Sequence, residues 1–174
     1  MRTLFKKEIA MKSVFRAAAL VGALSMSTAQ AAPNDFFENL SGSWSGSGKA
    51  YLSKYGEISA NCRVAISGAE TQVAMKGSCG MLMFQRALGL SIRNAGGNRY
   101  VGTYTGSKTG PAKLDGTLRG DRLVMNIKWG GLVNGDRTAQ MVLRRTGPNS
   151  FAQTVNDEVD GKSRSTSNFA FVRR

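Results

Sequence analysis

Apolar or small side chains alternate with polar ones along the chain from residue 42 onward, in short segments separated by Gly, Asn and Asp. In segment 42–52 the even positions carry Gly, Trp, Ala and Leu, whereas Ser fills most of the odd positions. A period of two is typical of a β-strand with one buried face. Because no later segment has a convincing helical period, the pattern predicts an all-β protein.

Two neighbouring segments fit together as a hairpin in one particular register. A register that pairs Cys62 with Cys79 places the apolar residues of both segments on the same inner face. The other opposed pairs are then Val64 with Gly77 and Ile66 with Met75. We therefore predict adjacent antiparallel strands that a disulfide can join.

The second half of the chain continues the alternation. Gly120-Asp121 and the stretch 133–136, Val-Asn-Gly-Asp, predict tight hairpin turns, the latter of type I′. Simple pairing across 133–136 would put Met141 and Leu143 on the outer face. A bulge at 130–131 adds one residue to the strand and would return both side chains to the inner face. Further strands are predicted at 137–146, 149–156 and 162–172, with a turn from Asp157 to Gly161.

Segment 81–93 is compatible with two structures. Its even positions favour a strand, although Met, Gln, Arg, Ala and Leu also suit a short helix. The whole pattern contains about nine or ten sequential strands, which fit a closed barrel or a sandwich. We predict a single antiparallel up-and-down β-barrel of about 8–10 strands.

The first 31 residues have the features of a cleaved signal peptide. Basic residues precede an apolar run from Ala17 to Met26, and Ala29 and Ala31 form an A-x-A cleavage site. The run is shorter than the roughly 20 residues that span a bilayer. We therefore expect a signal peptide at 1–31, a single domain at 32–174 and a periplasmic or secreted location. Because export leads to an oxidising compartment, we also expect a disulfide between Cys62 and Cys79.

The chain is strongly basic, with a formal net charge of +13. Removing five basic residues and one acid with the signal would leave +9. Such a charge favours anionic partners, among them lipid head groups, polysaccharide and acidic proteins. An exported protein rarely meets nucleic acid, so no nucleic-acid partner is expected.

Gly42-Ser43-Trp44 lies near the start of the predicted domain. This motif resembles the Gly-x-Trp motif with which the calycin superfamily, the lipocalins and their relatives, opens its first strand. The resemblance implies a barrel with a possible cavity, and a basic residue near the C-terminus, Arg173 or Arg174, packed across Trp44. The Thr-Asp-Tyr motif and the long C-terminal helix of classical lipocalins have no counterpart here.

The chain lacks the residues that several common kinds of catalytic and metal site require. The chain has no histidine, which removes Ser-His triads and His-ligated zinc or haem. The stretch 157–161, Asp-Glu-Val-Asp-Gly, lacks the ligand spacing of an EF-hand and fits a polar turn. We therefore expect no enzyme, no cofactor and no metal site.

The predicted inner face is rich in aromatic residues, and the sequence offers one charge among them. The candidate ligand contacts are Trp44, Arg86, Tyr100, Tyr104 and Trp129, and Phe84 shares the face. An arginine among aromatics can hold a carboxylate or phosphate while an apolar tail fills the lumen. We expect the inner glycines Gly46, Gly48, Gly102, Gly106 and Gly116 to leave room for it, although side chains alone can fill a barrel.

These observations support two functions of different kinds. The first is an exported, non-catalytic barrel that binds a small amphipathic or anionic ligand, such as a fatty acid. The alternative is a protein that contacts an anionic envelope component, or inhibits a protease, through its loops and basic surface. In either case we do not expect the domain to span a membrane once the signal is removed.

Overall fold

The structure is a computed structural model that describes residues 35–81 and 83–174; the predicted signal at 1–31 lies outside these residues. A short 3-10 helix, Asp35–Phe37, precedes ten strands. They are β1 (Gly42–Leu52), β2 (Gly56–Ala69), β3 (Gln72–Met81), β4 (Phe84–Asn94), β5 (Arg99–Tyr104), β6 (Ala112–Arg119), β7 (Arg122–Val133), β8 (Asp136–Gly147), β9 (Ser150–Val159) and β10 (Lys162–Arg173).

The ten strands form one closed antiparallel barrel in which each strand pairs with its neighbours along the chain. The pairing of β1 with β10, from Trp44 opposite Arg173 to Ala50 opposite Ser167, closes the sheet on itself. The prediction of an all-β up-and-down barrel is therefore confirmed, and the sandwich alternative is wrong. Each of the ten described strands is therefore paired on both sides over at least part of its length, so none is a free edge strand.

The hydrophobic pattern predicted the β2–β3 register correctly. Cys62 lies opposite Cys79 in the β2–β3 pair, and a disulfide joins them with 4.0 Å between their Cα atoms. The β7–β8 register shifts between Lys128 and Val133, which is where the predicted bulge restores the parity of the inner face. Segment 84–94 is a strand, so the helical alternative is also wrong.

The two ends of the barrel are covered differently, and we call them the closed end and the open end. At the closed end lie the N-terminal segment 35–41, the C-terminus and the β2–β3, β4–β5, β6–β7 and β8–β9 turns. Phe36 and Phe37 of the 3-10 helix are buried there, and the Phe37 ring packs 5.7 Å from the Tyr100 ring. The open end carries the other five connections and no such helix among the described residues.

Glycines on the inner face let neighbouring strands approach closely. At Gly48 a Cβ would overlap backbone atoms of β10, and at Gly116 it would overlap backbone atoms of β7. Glycine at such positions permits the strong coiling that a small closed barrel needs. The alternation of Ser and Gly in β1 therefore serves the curvature of the wall.

Two sequence-based placements are wrong. Asp157 was predicted in a polar turn, but it is buried in β9, since the alternation continues to Val159 and the turn begins only at Asp160. Phe84 was predicted to line the lumen, but it is exposed. The reason is that β5 pairs only with residues 90–94 of β4, so the start of β4 has no β5 neighbour.

The disulfide gives the first prediction. Replacing both cysteines with alanine should lower the free energy of unfolding by about 3 kcal/mol, because the cross-link limits the freedom of the unfolded chain. Denaturant titration of oxidised protein measures this, with thiol labelling as the control that no free thiol is present. A loss below about 0.5 kcal/mol would contradict the prediction.

Candidate functional site

Trp44 closes one end of the barrel. Its side chain is 1% exposed, and its indole nitrogen donates a hydrogen bond of 2.8 Å to the Leu40 carbonyl. The ring packs edge-on against Phe151 at 5.0 Å, and the Arg173 guanidinium lies 4.6 Å from its centre. The Trp44 side chain is thus buried, hydrogen-bonded and packed on both an aromatic ring and a guanidinium. The resemblance implied that Arg173 or Arg174 packs across Trp44, and in the structure the residue is Arg173.

Two arginines fasten the N-terminal segment across this end. Arg173 donates hydrogen bonds to the carbonyls of Asn39 and Ser41. Arg145 donates to the carbonyl of Glu38 at 2.7 Å. Because a guanidinium offers five donors in a rigid fork, each arginine can hold several carbonyls at once. The closed end is therefore a structural plug.

At the open end, Arg86, Tyr104 and Trp129 form what we call the mouth cluster. Tyr104 ends β5 and packs against Trp129 of β7, with 6.2 Å between the ring centres. Arg86 lies on the inner face of β4, in the part that has no β5 neighbour, and is half-buried. It forms no salt bridge within the described residues.

The mouth cluster contains a buried hydrogen-bond donor without an acceptor in the described part of the chain. The indole nitrogen of Trp129 is buried, and it has no hydrogen-bond partner among the described residues. Burial raises the pKa of the Tyr104 phenol, and the nearby Arg86 charge lowers it to a smaller extent. Tyr104 is therefore a neutral donor at physiological pH, and the cluster is suited to an acceptor or an anion.

Asp157 lies on a different wall of the same end. Asn134, in the β7–β8 turn, donates a hydrogen bond of 3.0 Å to its carboxylate. Burial raises the pKa of the Asp157 carboxyl, and the bonds from Asn134 and from the Glu158 backbone oppose that rise. Asp157 and Gln153 are the two polar side chains buried in the described part of the chain.

The structure divides the predicted site residues into two groups. Trp44 and Tyr100 pack at the closed end, whereas Arg86, Tyr104 and Trp129 meet at the open end. The role of these five residues as ligand contacts stays a prediction. Sequence reasoning missed Asp157, although extending the period of two from Phe151 would have found it.

The expected spare volume beside the inner glycines is filled at several positions. The Phe171 ring occupies the space over Gly46, and the Tyr104 hydroxyl lies against Gly106. Two clefts of about 710 and 370 Å³ lie elsewhere, one beside the N-terminal segment and one on the outside between β1 and β10. A ligand of the mouth cluster would therefore have to enter from the open end.

The described residues lack two further features. They contain no group of three or more His, Cys, Asp or Glu side chains placed to hold a metal ion. They also contain no helix that is both long enough and apolar enough to cross a bilayer.

The two tryptophans should respond differently to the same substitution. Trp44→Phe removes the hydrogen bond from the indole nitrogen to the Leu40 carbonyl. Trp129→Phe removes a buried N–H that has no acceptor in the described residues, and the loss of this N–H relieves the cost of its desolvation. We expect Trp44→Phe to lower the free energy of unfolding by about 2 kcal/mol more than Trp129→Phe does. Denaturant titration measures both, and equal losses would contradict the assignment of Trp44 to the plug.

Relative to the wild type, Asp157→Asn should be more stable at pH 7 than in acid. Because the folded-state pKa is raised, the ionised carboxylate costs stability above that pKa, and this cost disappears as pH falls below the ordinary aspartate value of about 3.9. The advantage of the variant should therefore shrink in acid. Asp121→Asn is the control of opposite sign, since a hydrogen bond from Arg144 lowers the pKa of Asp121. A stability difference between Asp157→Asn and the wild type that does not change between pH 7 and pH 3, or that favours the variant more in acid, would contradict the prediction.

Comparison with known proteins identifies the fold. No protein-family model and no curated protein sequence matches the chain. The solved structure of an S-type phycobiliprotein lyase, CPES from Guillardia theta, is similar, with 15% identity, 80% of this chain and 91% of that chain covered, and a TM-score of 0.58. Rv2717c from M. tuberculosis is 12% identical, covers 83% of this chain and 98% of its own, and has a TM-score of 0.60.

At these identities the likeness carries the barrel fold and no activity. It nevertheless corrects one expectation from the sequence, namely that the chain is not an enzyme. A protein of this fold is a phycobiliprotein lyase, so the fold does not exclude catalysis, and that expectation is wrong. The chain shares its closed antiparallel barrel with proteins of very different sequence.

Proposed function

We propose that the open end of the barrel binds a small amphipathic molecule with an anionic head group. The head group meets Arg86, Tyr104 and Trp129, and the apolar part lies against the inner face beside them. The observation that carries this proposal is the buried indole nitrogen of Trp129, which has no partner in the described part of the chain. A buried donor left without an acceptor costs about 1–3 kcal/mol, so a ligand that supplies the acceptor recovers that cost.

Arg86 supports an anion rather than a neutral ligand. It is half-buried and faces the same end of the lumen as the two aromatic donors, and no carboxylate among the described residues neutralises it. A guanidinium binds a carboxylate or a phosphate with two parallel hydrogen bonds. A fatty acid is a simple member of this class of ligands.

The proposal also includes export and a relationship to the calycins. The basic and apolar pattern of residues 1–31 supports removal of a signal and a periplasmic or secreted location. The disulfide supports an oxidising compartment. The stacking of Arg173 on Trp44 at the start of β1 supports membership of the calycin superfamily.

Titration with dodecanoate and with dodecanol tests the binding site. Arg86→Ala should weaken dodecanoate binding by about tenfold or more, since a hydrogen bond to a charged group contributes about 1.5–3 kcal/mol. The neutral alcohol should bind the variant as it binds the wild type. Trp129→Phe should weaken both ligands, because each supplies an oxygen acceptor.

Arg93→Ala is the matched control. Arg93 lies on the same strand, is exposed on the outer face and has no salt bridge in the described residues. Isothermal calorimetry should show one dodecanoate per chain for the wild type and for this control. Equal weakening of acid and alcohol by Arg86→Ala, or no binding to the wild type, would contradict the proposal.

A further inference from the structure

Exposed apolar side chains gather at the open end. Five large hydrophobic side chains are exposed in the described part of the chain, and four of them lie at this end. They are Tyr55, Met83, Phe84 and Leu132. Met83 is 97% exposed, which is an unusual position for a methionine.

These four side chains come from three separate hairpins. Tyr55 belongs to the β1–β2 connection, Met83 and Phe84 to the β3–β4 connection and the start of β4, and Leu132 to the last residues of β7. The exposed apolar side chains are therefore distributed over three hairpins at the opening of the barrel. This arrangement suits a soft, extended surface better than it suits a protein partner with one complementary pocket.

The same part of the open end is basic. Lys54 and Lys108 are exposed, and the Lys54 ammonium lies 5.4 Å from the centre of the Tyr55 ring. The connections 53–55, 82–83 and 105–111 contain these two lysines and no carboxylate. Glu57, at the start of β2, is the nearest acidic residue, and it forms a salt bridge of 2.7 Å with Lys49. The other acidic residues of this end belong to the β7–β8 and β9–β10 hairpins; they are Asp136, Asp157, Glu158 and Asp160.

We propose that this rim docks on an anionic lipid surface, and we define the rim as Lys54, Tyr55, Met83, Phe84, Lys108 and Leu132. The apolar side chains enter the boundary between head groups and acyl chains, and the lysines lie among the phosphates. The charge of the rim is complementary to such a surface. Docking in this orientation would leave the closed end facing the solvent, and it does not depend on a ligand in the mouth cluster.

A fluorophore at the rim tests where the protein touches the membrane. Met83→Cys carries an environment-sensitive label, NBD, and Val172→Cys carries the same label as the matched control. Val172 is also an exposed apolar residue, 55% accessible, but it lies at the closed end. The protein is used as purified from its expressing cell, with its N-terminus determined by mass spectrometry.

Phosphatidylglycerol vesicles should increase the NBD emission at position 83 severalfold and shift it to the blue. They should leave the label at position 172 unchanged, and phosphatidylcholine vesicles should affect neither label. No change at position 83, or equal changes at both positions, would overturn the proposal. Because the readout is local, it is independent of any membrane contact made by residues 1–34.

Charge reversal gives a second, independent measurement. Each lysine near an anionic surface contributes about fivefold in affinity, so Lys54→Glu with Lys108→Glu should weaken binding to phosphatidylglycerol vesicles by well over tenfold. Arg93→Glu with Arg119→Glu makes the same change in net charge on exposed residues near the closed end. This control should weaken binding much less, and equal weakening would show that overall charge, not the rim, determines binding.

The two proposals can fail separately. The lysine variants leave Arg86, Tyr104 and Trp129 unchanged, so they should bind dodecanoate in solution as the wild type does. If vesicle docking is absent while dodecanoate binds, the rim proposal is wrong and the ligand proposal stands. If docking occurs but dodecanoate does not bind, the reverse holds.

Discussion

The stacking of Arg173 on Trp44 joins the last strand of the barrel to the first. The two residues are opposite each other in the β1–β10 pair, which is the pairing that closes the sheet. The same guanidinium also bonds the carbonyls of Asn39 and Ser41, and the Trp44 indole bonds that of Leu40. The Arg173 guanidinium therefore links the first strand, the last strand and the segment that covers the closed end. Closure of the barrel depends on these contacts between the N-terminal and C-terminal parts of the described chain.

This arrangement leaves the open end available for binding. Trp44, Arg145 and Arg173 of the plug donate to backbone carbonyls, and its aromatic rings pack in edge and stacked pairs. At the other end a buried indole nitrogen has no partner in the described residues, and Arg86 is not neutralised there. Natural proteins leave polar groups unsatisfied mainly at functional sites, so the open end is where a binding site is expected.

The alternation of side chains was enough to predict most of the wall, because a one-residue error in register would turn every side chain to the other face. It therefore predicted the Cys62–Cys79 pair and the irregularity beside Gly130. The alternation gave a wrong prediction at Phe84, where β4 has no β5 neighbour. An odd or even position shows which face of a strand a side chain lies on, but it does not show whether another strand covers that face. The prediction was also wrong at Asp157, because acidic residues before Asp160-Gly161 have the composition of a turn. The 3-10 helix has too few residues to show a period, and contacts within the mouth cluster depend on strands that are distant in sequence.

The two tryptophans differ in their surroundings and in the roles we propose for them, Trp44 in the plug and Trp129 in the binding site. The indole N–H signals in a ¹H–¹⁵N correlation spectrum test this difference directly, since the chain has two tryptophans and Trp129→Phe assigns both signals. Addition of dodecanoate should shift the Trp129 signal, as its N–H gains an acceptor, and leave the Trp44 signal in place. A shift of the Trp44 signal alone, or equal shifts of both, would contradict the account.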